Sequence, residues 1–333
     1  MSFSLSILII FLFIGCGHKN KTNDDLVTVK LNEVVRSVFY APMYVAINNG
    51  YFEDEGINIE LSTGQGADKT MQQVLSGSSD IGFCGPEQII YIYNQGREDY
   101  PVLFAQLTAT DGSFLVGRQE DENFEFQDLE GKTIIGGRPG GVPEMTLEYV
   151  LRKHGLDPKN DVELITNLDF TATSGAFKAG TGDYVALFEP TASILEQDKS
   201  GVVLASIGEN AGTIPYTCYF STKSYISENP EIIEKFTRAI YRGQQYVLTH
   251  SEENVSTIIK DFFPGTEEDL ITKVVKNYKN INAYSKDPYL HEDDLTRLED
   301  IIQSYDKSLI PTRPPYNEIV DTTFAEKIID EKK

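Results

Sequence analysis

The sequence predicts an α/β protein with two doubly wound lobes, a hinge of two crossings and a helical C-terminal part. Short apolar strand patterns alternate with helix patterns from residue 27 to residue 107, and the same alternation starts again at residue 133. The last third carries four long helical patterns. Such alternation is typical of parallel sheets with right-handed crossover connections. Two extended segments, 113–117 and 216–221, are predicted to join the lobes.

In the first lobe, each predicted helix separates two predicted strands. The first helix begins near Pro42, which suits a first helical turn, and is ended by Gly50. The remaining boundaries follow from apolar runs between Gly, Asp and Ser residues. The predicted strands are 27–34, 57–61, 80–84 and 102–107, and the later helices are 68–75 and 86–94.

The second lobe is predicted to follow the acidic stretch 120–130. Its predicted strands are 133–136, 162–165, 184–188 and 202–205, and its helices are 143–154, 173–179 and 191–197. After the apolar run 216–220, helices are predicted at 230–250, 252–262, 267–281 and 292–306. We therefore expect lobe 1 to comprise 27–118 and 216–333, and lobe 2 to comprise 119–215.

The composition and charge exclude several classes of function. The 333 residues include 29 Lys and Arg against 51 Asp and Glu, a net charge of -22, with no basic run. This charge repels phosphate, so we expect no nucleic-acid partner. The three cysteines and four histidines show no metal-binding spacing. We expect no metal, no cofactor and a monomer.

The N-terminus predicts export and lipidation. Residues 3–15 are apolar apart from two serines, and 13 residues are too few to span a ~30 Å hydrocarbon core. They fit a signal peptide, 1–15, and Phe13-Ile14-Gly15-Cys16 resembles a bacterial lipobox. Cys16 would then carry the lipid, and residues 16–26, polar from His18 to Asp25, would form a tether outside the cell membrane. The alternative is an uncleaved signal anchor, since Phe13 stands where Leu is usual and no basic residue precedes the apolar run.

Several motifs resemble the SsuA/THI5-like (NMT1) solute-binding proteins of ABC importers, over roughly residues 27–245. They are SVFYAPMYVA at 37–46, NGYFEDEGI at 49–57, LSGSSDIG at 75–82, DLEGK at 128–132 and FKAGTGD at 177–183. The resemblance implies a type II periplasmic-binding-protein fold, a small-molecule ligand in the cleft between the lobes, and a membrane permease as partner. Known ligands of the family include aliphatic sulfonates, taurine, nitrate and precursors of thiamine or riboflavin.

Open α/β sheets bind ligands beyond the carboxyl ends of their strands. The first-lobe candidates at these ends are Ser37, Phe39, Tyr40, Gly85, Glu87, Thr108 and Asp111. Aromatic rings at 39 and 40 could stack on a planar ligand, although Phe39 could equally pack under its helix. Glu87 could bind ligand donors or complement its helix dipole, and the turn at 108–112 also needs no ligand to explain it.

The second-lobe candidates are Arg138, Gly140, Gly141, Glu144 and Glu189. The loop 136–144 leaves backbone amides at a helix start, but it has neither a phosphate-loop motif nor a dinucleotide fingerprint. Glu189 resembles the family position at which an acidic or polar side chain reaches the ligand. It could instead complement the start of its helix.

These residues favour a planar heteroaromatic ligand with exocyclic amines, such as a thiamine-pyrimidine precursor. The alternative is a sulfonate, taurine, nitrate or carboxylate bound by Arg138 and the Gly140 and Gly141 amides. The family also includes a yeast pyrimidine synthase that depends on a cysteine cluster. This chain lacks such a cluster, so we expect no enzyme activity.

Overall fold

The computed structural model describes residues 26–169 and 171–331, where ten strands form two five-stranded sheets. In chain order, β1 to β10 are Val27–Glu33, Ile57–Thr63, Ile81–Cys84, Pro101–Thr108, Ser113–Gly117, Thr133–Ile135, Glu163–Ile165, Tyr184–Phe188, Val202–Ser206 and Thr217–Thr222. The predicted signal peptide, Cys16 and most of the tether lie outside the described residues.

Helices cover the sheets and form most of the C-terminal part. Helices α1 to α8 are Ala41–Asn48, Tyr51–Asp54, Ala67–Leu75, Glu87–Asn94, Val142–Lys153, Thr173–Lys178, Thr191–Gln197 and Ile207–Ala211. Helices α9 to α15 are Lys223–Glu228, Pro230–Thr249, Glu252–Ile259, Glu268–Asn280, Glu292–Tyr305, Tyr316–Ile319 and Thr323–Asp330. No described helix combines the length and apolar character needed to cross a membrane.

Each sheet is parallel except at one strand. The first has the order β2-β1-β3-β10-β4, and β10 runs antiparallel to β3 and β4. The second has the order β7-β6-β8-β5-β9, and β5 runs antiparallel to β8 and β9. In both cases the antiparallel strand is the first one after the chain crosses from the other sheet. The predicted pair of doubly wound lobes is therefore present.

The two predicted crossings are wrong in position. Segments 113–117 and 216–221 almost coincide with β5 and β10, which lie inside the sheets, and the sheets are joined by residues 109–112 and 212–216. A buried antiparallel strand and an extended linker have the same apolar pattern, so the sequence does not separate them. The chain consequently enters the second sheet at Ser113, earlier than the predicted change of lobe after residue 118.

The C-terminal helices contact both lobes. Helix α10 packs along α1, and α11 packs on α1 and α12. Gly243 permits the first contact, because a Cβ there would lie 2.1 Å from the Pro42 carbonyl oxygen. Helix α13 instead packs against α5 of the second lobe, so the C-terminal helices also contact that lobe.

Buried side chains join the lobes into a closed arrangement. The larger apolar cluster includes Leu31 and Phe104 of the first sheet and Phe114 and Leu187 of the second. A smaller cluster around Leu147 and Leu151 fills the outer part of the second lobe. Because apolar contacts run across the cleft, the strand ends of the two sheets face each other at close range.

Candidate functional site

The predicted site residues lie in the turns that follow β1, β3, β4, β6 and β8. In the parallel part of each sheet these turns emerge at one edge, where a helix begins directly after the loop. The two edges face each other across the cleft. Tyr91 of α4 bridges it, since its hydroxyl lies 3.4 Å from the Gly140 carbonyl oxygen and 3.9 Å from the Met145 sulfur.

Phe39 and Tyr40 are buried in an aromatic cluster. The Phe39 ring stacks on Tyr278 at 4.6 Å between centroids and on Tyr40 at 5.8 Å, while Tyr216 lies at 5.7 Å. Tyr40 also packs edge-on against Phe83. In this closed arrangement the Phe39 ring is covered by aromatic side chains of the protein itself.

Ser37 and Thr108 have structural partners. The Ser37 hydroxyl accepts a hydrogen bond from the Phe39 N–H at 3.2 Å and caps the short 3₁₀ turn Val38–Tyr40. The Thr108 hydroxyl accepts from the Thr217 N–H at 2.9 Å, which links β4 to β10 at the second crossing. Both hydroxyl oxygens therefore have a hydrogen-bond partner in the protein itself, and neither needs a ligand to explain its position.

Glu87 is a buried acid with a free acceptor. It lies in the first turn of α4 with 4% of its surface exposed, and its carboxyl folds back over Gly85. A Cβ on Gly85 would lie 2.1 Å from Glu87 Oε2, so the glycine makes room for this carboxyl. Oε2 has no hydrogen-bond partner. Burial raises the pKa of Glu87 to about 7.

Asp111 is a second acid of this kind, in the first crossing. It is fully buried, and its Oδ1 accepts hydrogen bonds from the Ser113 N–H at 2.7 Å and from the Ser113 hydroxyl. Oδ2 has no partner in hydrogen-bond geometry, and the Tyr216 hydroxyl is close enough to the carboxyl to lower its pKa. Burial raises the pKa of Asp111 to about 6, against the lowering effect of Ser113 and Tyr216.

Glu144 is the third acid, on the opposite side of the cleft. It is fully buried in the first turn of α5, and its Oε2 accepts the Gly137 N–H at 2.6 Å. Oε1 has no partner, and a Cβ on Gly136 would lie 2.2 Å from Oε2. Burial, with a smaller contribution from Glu148, raises the pKa of Glu144 to about 7. The carboxyl thus accepts the hydrogen bond of a glycine-loop amide that could otherwise donate to an anion.

The other residues that were expected to bind an anion are poorly placed to do so. The Arg138 side chain is 66% exposed and lies 3.7 Å from Asp68 of the first lobe, at the rim of the cleft. The Gly141 N–H donates to the Arg138 carbonyl oxygen at 3.1 Å. Gly140 has φ +73°, a left-handed conformation that suits glycine, and its carbonyl faces Tyr91.

Glu189 already has partners for both carboxyl oxygens. Oε2 accepts the Ser193 N–H at 2.9 Å, and Oε1 accepts the Ser193 hydroxyl at 2.8 Å and the Asn277 amide at 2.5 Å. The first two bonds tie Glu189 to the start of α7. The third reaches α12. In the closed arrangement Glu189 therefore serves as a structural junction.

Sequence reasoning missed the aromatic and amide partners of these residues. The sequence predicts Tyr216 only as part of the extended segment 216–221. Asn277 and Tyr278 lie in the C-terminal helices, beyond the part of the chain that carries the resemblance. Their contacts span 88 and 239 residues of sequence, from Glu189 to Asn277 and from Phe39 to Tyr278. No local pattern could reveal them.

Other chemistry-bearing groups in the described residues are scattered. No three of their His, Cys, Asp and Glu side chains form a group that could hold a metal ion. Cys84 and Cys218 are buried, unlinked and directly opposite each other on β3 and β10. Burial raises the pKa of both thiols well above the ordinary value.

Comparison with known proteins identifies the family of this chain. The NMT1/THI5 like family model matches residues 38–254, which is more than half of the chain. The chain belongs to the NMT1/THI5-like family. It is 44% identical to the putative binding protein YtlA of Bacillus subtilis (strain 168), over 98% of this chain and 96% of that protein. The resemblance seen in the motifs is thus confirmed.

More distant members of this family differ in activity. The chain is 23% identical to the formylaminopyrimidine-binding protein of Halalkalibacterium halodurans, over 84% of this chain and 87% of that protein. It is also 23% identical to the 4-amino-5-hydroxymethyl-2-methylpyrimidine phosphate synthase of Candida albicans (strain WO-1), over 74% of this chain and 79% of that protein.

Solved structures confirm the predicted fold class. The alkanesulfonate-binding protein SsuA from Xanthomonas axonopodis pv. citri, bound to MOPS, superposes with a TM-score of 0.70 at 16% identity, over 89% of this chain and 98% of that one. The two-lobed fold is thus that of periplasmic binding proteins. Together with the 44% identity over nearly the whole chain to a putative binding protein, this fold makes the chain a solute-binding protein.

Proposed function

We propose that this protein is the extracytoplasmic receptor of an ABC importer and that its ligand is a planar heteroaromatic with exocyclic amines, of the thiamine-pyrimidine precursor class. One observation carries the ligand assignment. Glu87, Asp111 and Glu144 are buried at the facing strand ends, and each has a carboxyl oxygen without a hydrogen-bond partner.

A carboxylate only accepts hydrogen bonds, and a buried acceptor without a donor is costly. Three such oxygens therefore favour a ligand rich in N–H and O–H donors. An exocyclic amine supplies two donors, and a pyrimidine ring suits the apolar faces of nearby Tyr40 and Tyr216. The binding of formylaminopyrimidine by one relative, as its name states, supports the same class.

The anionic alternative has weaker support. A sulfonate or nitrate would be repelled by the three acids once they are ionised. Its expected donors are less available, because the Gly141 N–H donates to the Arg138 carbonyl oxygen and the Arg138 side chain is exposed at the rim. An exposed guanidinium contributes little to binding energy unless it is desolvated.

We propose binding without catalysis. The relatives include synthases as well as binding proteins, but the 44% identical relative is named a binding protein. In this chain the Cys84 and Cys218 thiols have raised pKa values, and a thiol rather than a thiolate is a poor nucleophile.

We further propose that the receptor is anchored through a lipid on Cys16, after removal of residues 1–15, and works as a monomer. The tether 16–26, polar from His18 to Asp25, would give the folded part freedom to reach its permease. The short apolar run and the lipobox-like Gly15-Cys16 support this arrangement.

A thermal-shift and calorimetry screen tests the ligand class. The folded part, from residue 26 onward, would be tested with 4-amino-5-hydroxymethyl-2-methylpyrimidine and formylaminopyrimidine against taurine, alkanesulfonates and nitrate. The aminopyrimidines should bind at micromolar Kd or better. A neutral amide accepts a weaker hydrogen bond than a carboxylate, by about 1.4 kcal/mol, so Glu87→Gln and Glu144→Gln should each raise Kd about tenfold.

Arg138→Ala serves as the matched variant for the anionic alternative, and Glu189→Gln reports on the sequence-predicted contact. We expect Arg138→Ala to change the aminopyrimidine Kd by less than about twofold. Tight binding of taurine or another sulfonate that requires Arg138 and is unaffected by the Glu87 and Glu144 substitutions would overturn the proposed ligand.

A further inference from the structure

Helix α12 is fixed to the first lobe. It packs on α11 and on residues Val38–Tyr40. The segment after it pairs with the end of β4, where Thr108 and Tyr284 form a bridge. The Tyr284 hydroxyl also donates to the Val38 carbonyl oxygen at 3.1 Å. Any rotation of the lobes therefore carries α12 with lobe 1.

Helix α7 belongs to the second lobe, because it follows β8 directly. Ser193 and Glu196 lie on α7 itself, and Glu189 lies in the turn just before it and is hydrogen-bonded to Ser193. On α12, Lys273 and Asn277 are four residues, about one turn, apart and therefore lie on the same face. Acidic groups of the second lobe thus face a lysine and an amide of α12.

Three hydrogen-bonded contacts connect α12 to α7 and the turn before it. Lys273 Nζ lies 2.9 Å from Glu196 Oε2. The Asn277 amide donates to Glu189 Oε1 at 2.5 Å, with Ser193 Oγ at 3.4 Å. The Tyr278 hydroxyl accepts the Glu189 backbone N–H at 3.2 Å.

We propose that these residues form a latch between the lobes, in which Asn277 and Tyr278 hold Glu189 and raise the closed fraction of the ligand-free protein. The inference rests on the proposed function in that closure serves ligand capture. It makes Asn277 and Tyr278 positioning residues. It also assigns Glu189, a predicted ligand contact, to closure.

Burial makes the latch sensitive to single substitutions. Glu189 is 3% exposed and Tyr278 is fully buried between the lobes, where it stacks on Phe39 and lies 6.3 Å from Phe114. Without the Asn277 amide, Glu189 Oε1 keeps only the Ser193 hydroxyl, and opening then exposes the acid to water. The open state should gain population as a result.

A ligand that binds only the closed state gains apparent affinity in proportion to the closed fraction. The latch should therefore determine both Kd and residence time without touching the ligand. Because the latch acts after encounter, its loss should accelerate dissociation more than it slows association.

Small-angle scattering of ligand-free protein tests the latch directly. Asn277→Ala should have a larger radius of gyration than the natural protein, and so should Tyr278→Phe, which keeps the ring but loses the hydroxyl. Asn280→Ala is the matched control, because Asn280 is exposed on the same helix. It should match the natural protein in radius and in thermal midpoint.

Stopped-flow binding of the aminopyrimidine found by the screen gives the second readout. Asn277→Ala should raise the dissociation rate about tenfold, as expected for the loss of about 1.4 kcal/mol, with the association rate within about threefold. Unchanged radii in both Asn277→Ala and Tyr278→Phe would overturn the latch, even if the ligand binds. Larger radii with no aminopyrimidine binding would support the latch and reject the ligand.

Discussion

Three carboxyl groups dominate the chemistry at the scale of single residues. Glu87, Asp111 and Glu144 are buried beside glycine or crossing backbone, and burial raises the pKa of each carboxyl to between about 6 and 7. An acid that resists ionisation in the folded state reduces stability at neutral pH. The three buried carboxyls therefore reduce the folding stability of the ligand-free protein, and a donor-rich ligand can offset this loss.

The stability of the ligand-free protein should fall as pH rises through this range. The folded pKa of Glu144 is about 7 and its ordinary value is 4.5, so between these values the folded state binds more protons than the unfolded state. The thermal midpoint should be higher at pH 5.5 than at pH 8, and Glu144→Gln should reduce the difference by a few degrees. Glu130→Gln, on an exposed residue, should leave the difference unchanged, and an equal reduction in both variants would contradict the assignment.

The sequence was informative about the acids and uninformative about their partners. Glu87, Asp111 and Glu144 could be named because each follows a predicted strand closely. Arg138 could be named equally well, yet its side chain is exposed at the rim of the cleft, 3.7 Å from Asp68, which is 70 residues away in the chain. Charge and position predict which residues reach the strand ends, whereas burial depends on the packing of both lobes.

At the scale of elements, close helix contact constrains the first lobe. Helix α10 lies against α1 at Gly243, where a Cβ would come within 2.1 Å of the Pro42 carbonyl oxygen and 3.1 Å of the Ala46 Cβ. Backbone cannot move aside as a flexible side chain can. The glycine therefore sets the distance between the two helices.

Gly243→Ala should destabilise the protein by about 1–3 kcal/mol, the usual effect of overpacking. Gly175→Ala is the control. Gly175 is exposed in helix α6 with nothing near its Cβ position, so alanine there should be neutral or stabilise by up to about 1 kcal/mol. Urea unfolding measures both, and equal effects at the two positions would contradict the packing argument.

The sequence predicts helices accurately where an amphipathic pattern extends over many residues. It fails where a short apolar run fits either a strand or an extended linker. The predicted helices at 143–154 and 230–250 correspond to α5 and α10 within a residue. The crossings were misplaced because β5 and β10 are short apolar segments. The five-residue helix α8 was not predicted, and the contact of α13 with α5 could not be, since an amphipathic face does not identify its partner.

At the scale of the whole molecule, two short segments connect lobes that can rotate. Residues 109–112 and 212–216 are the only places where the described chain passes directly between the sheets. Such hinges absorb backbone rotation while each lobe stays rigid. The closed arrangement described here and an open one should therefore both be populated.

Ligand should shift this balance toward the closed form. The radius of gyration from small-angle scattering should decrease when an aminopyrimidine saturates the protein, and the decrease should be greater in Asn277→Ala, which starts more open. No change at saturation in either protein would contradict the hinge.

The membrane attachment can be tested on the full chain. Cys16→Ser, expressed from the native start, should leave the membrane fraction, because the apolar run before it is too short to act as a stable anchor. The natural chain should remain membrane-bound and carry a lipid detectable by mass spectrometry. Retention of the substituted chain in the membrane, uncleaved, would favour the signal anchor.

The central claim is that buried carboxyls at the facing strand ends bind a donor-rich ligand. A crystal structure of the complex with the tightest aminopyrimidine tests it most directly. We predict ligand nitrogens or hydroxyls within about 3 Å of Glu87 Oε2, Asp111 Oδ2 and Glu144 Oε1, the three oxygens now without partners. A ligand bound instead to Arg138 and the Gly140 and Gly141 amides, with these three oxygens still without donors, would contradict the claim.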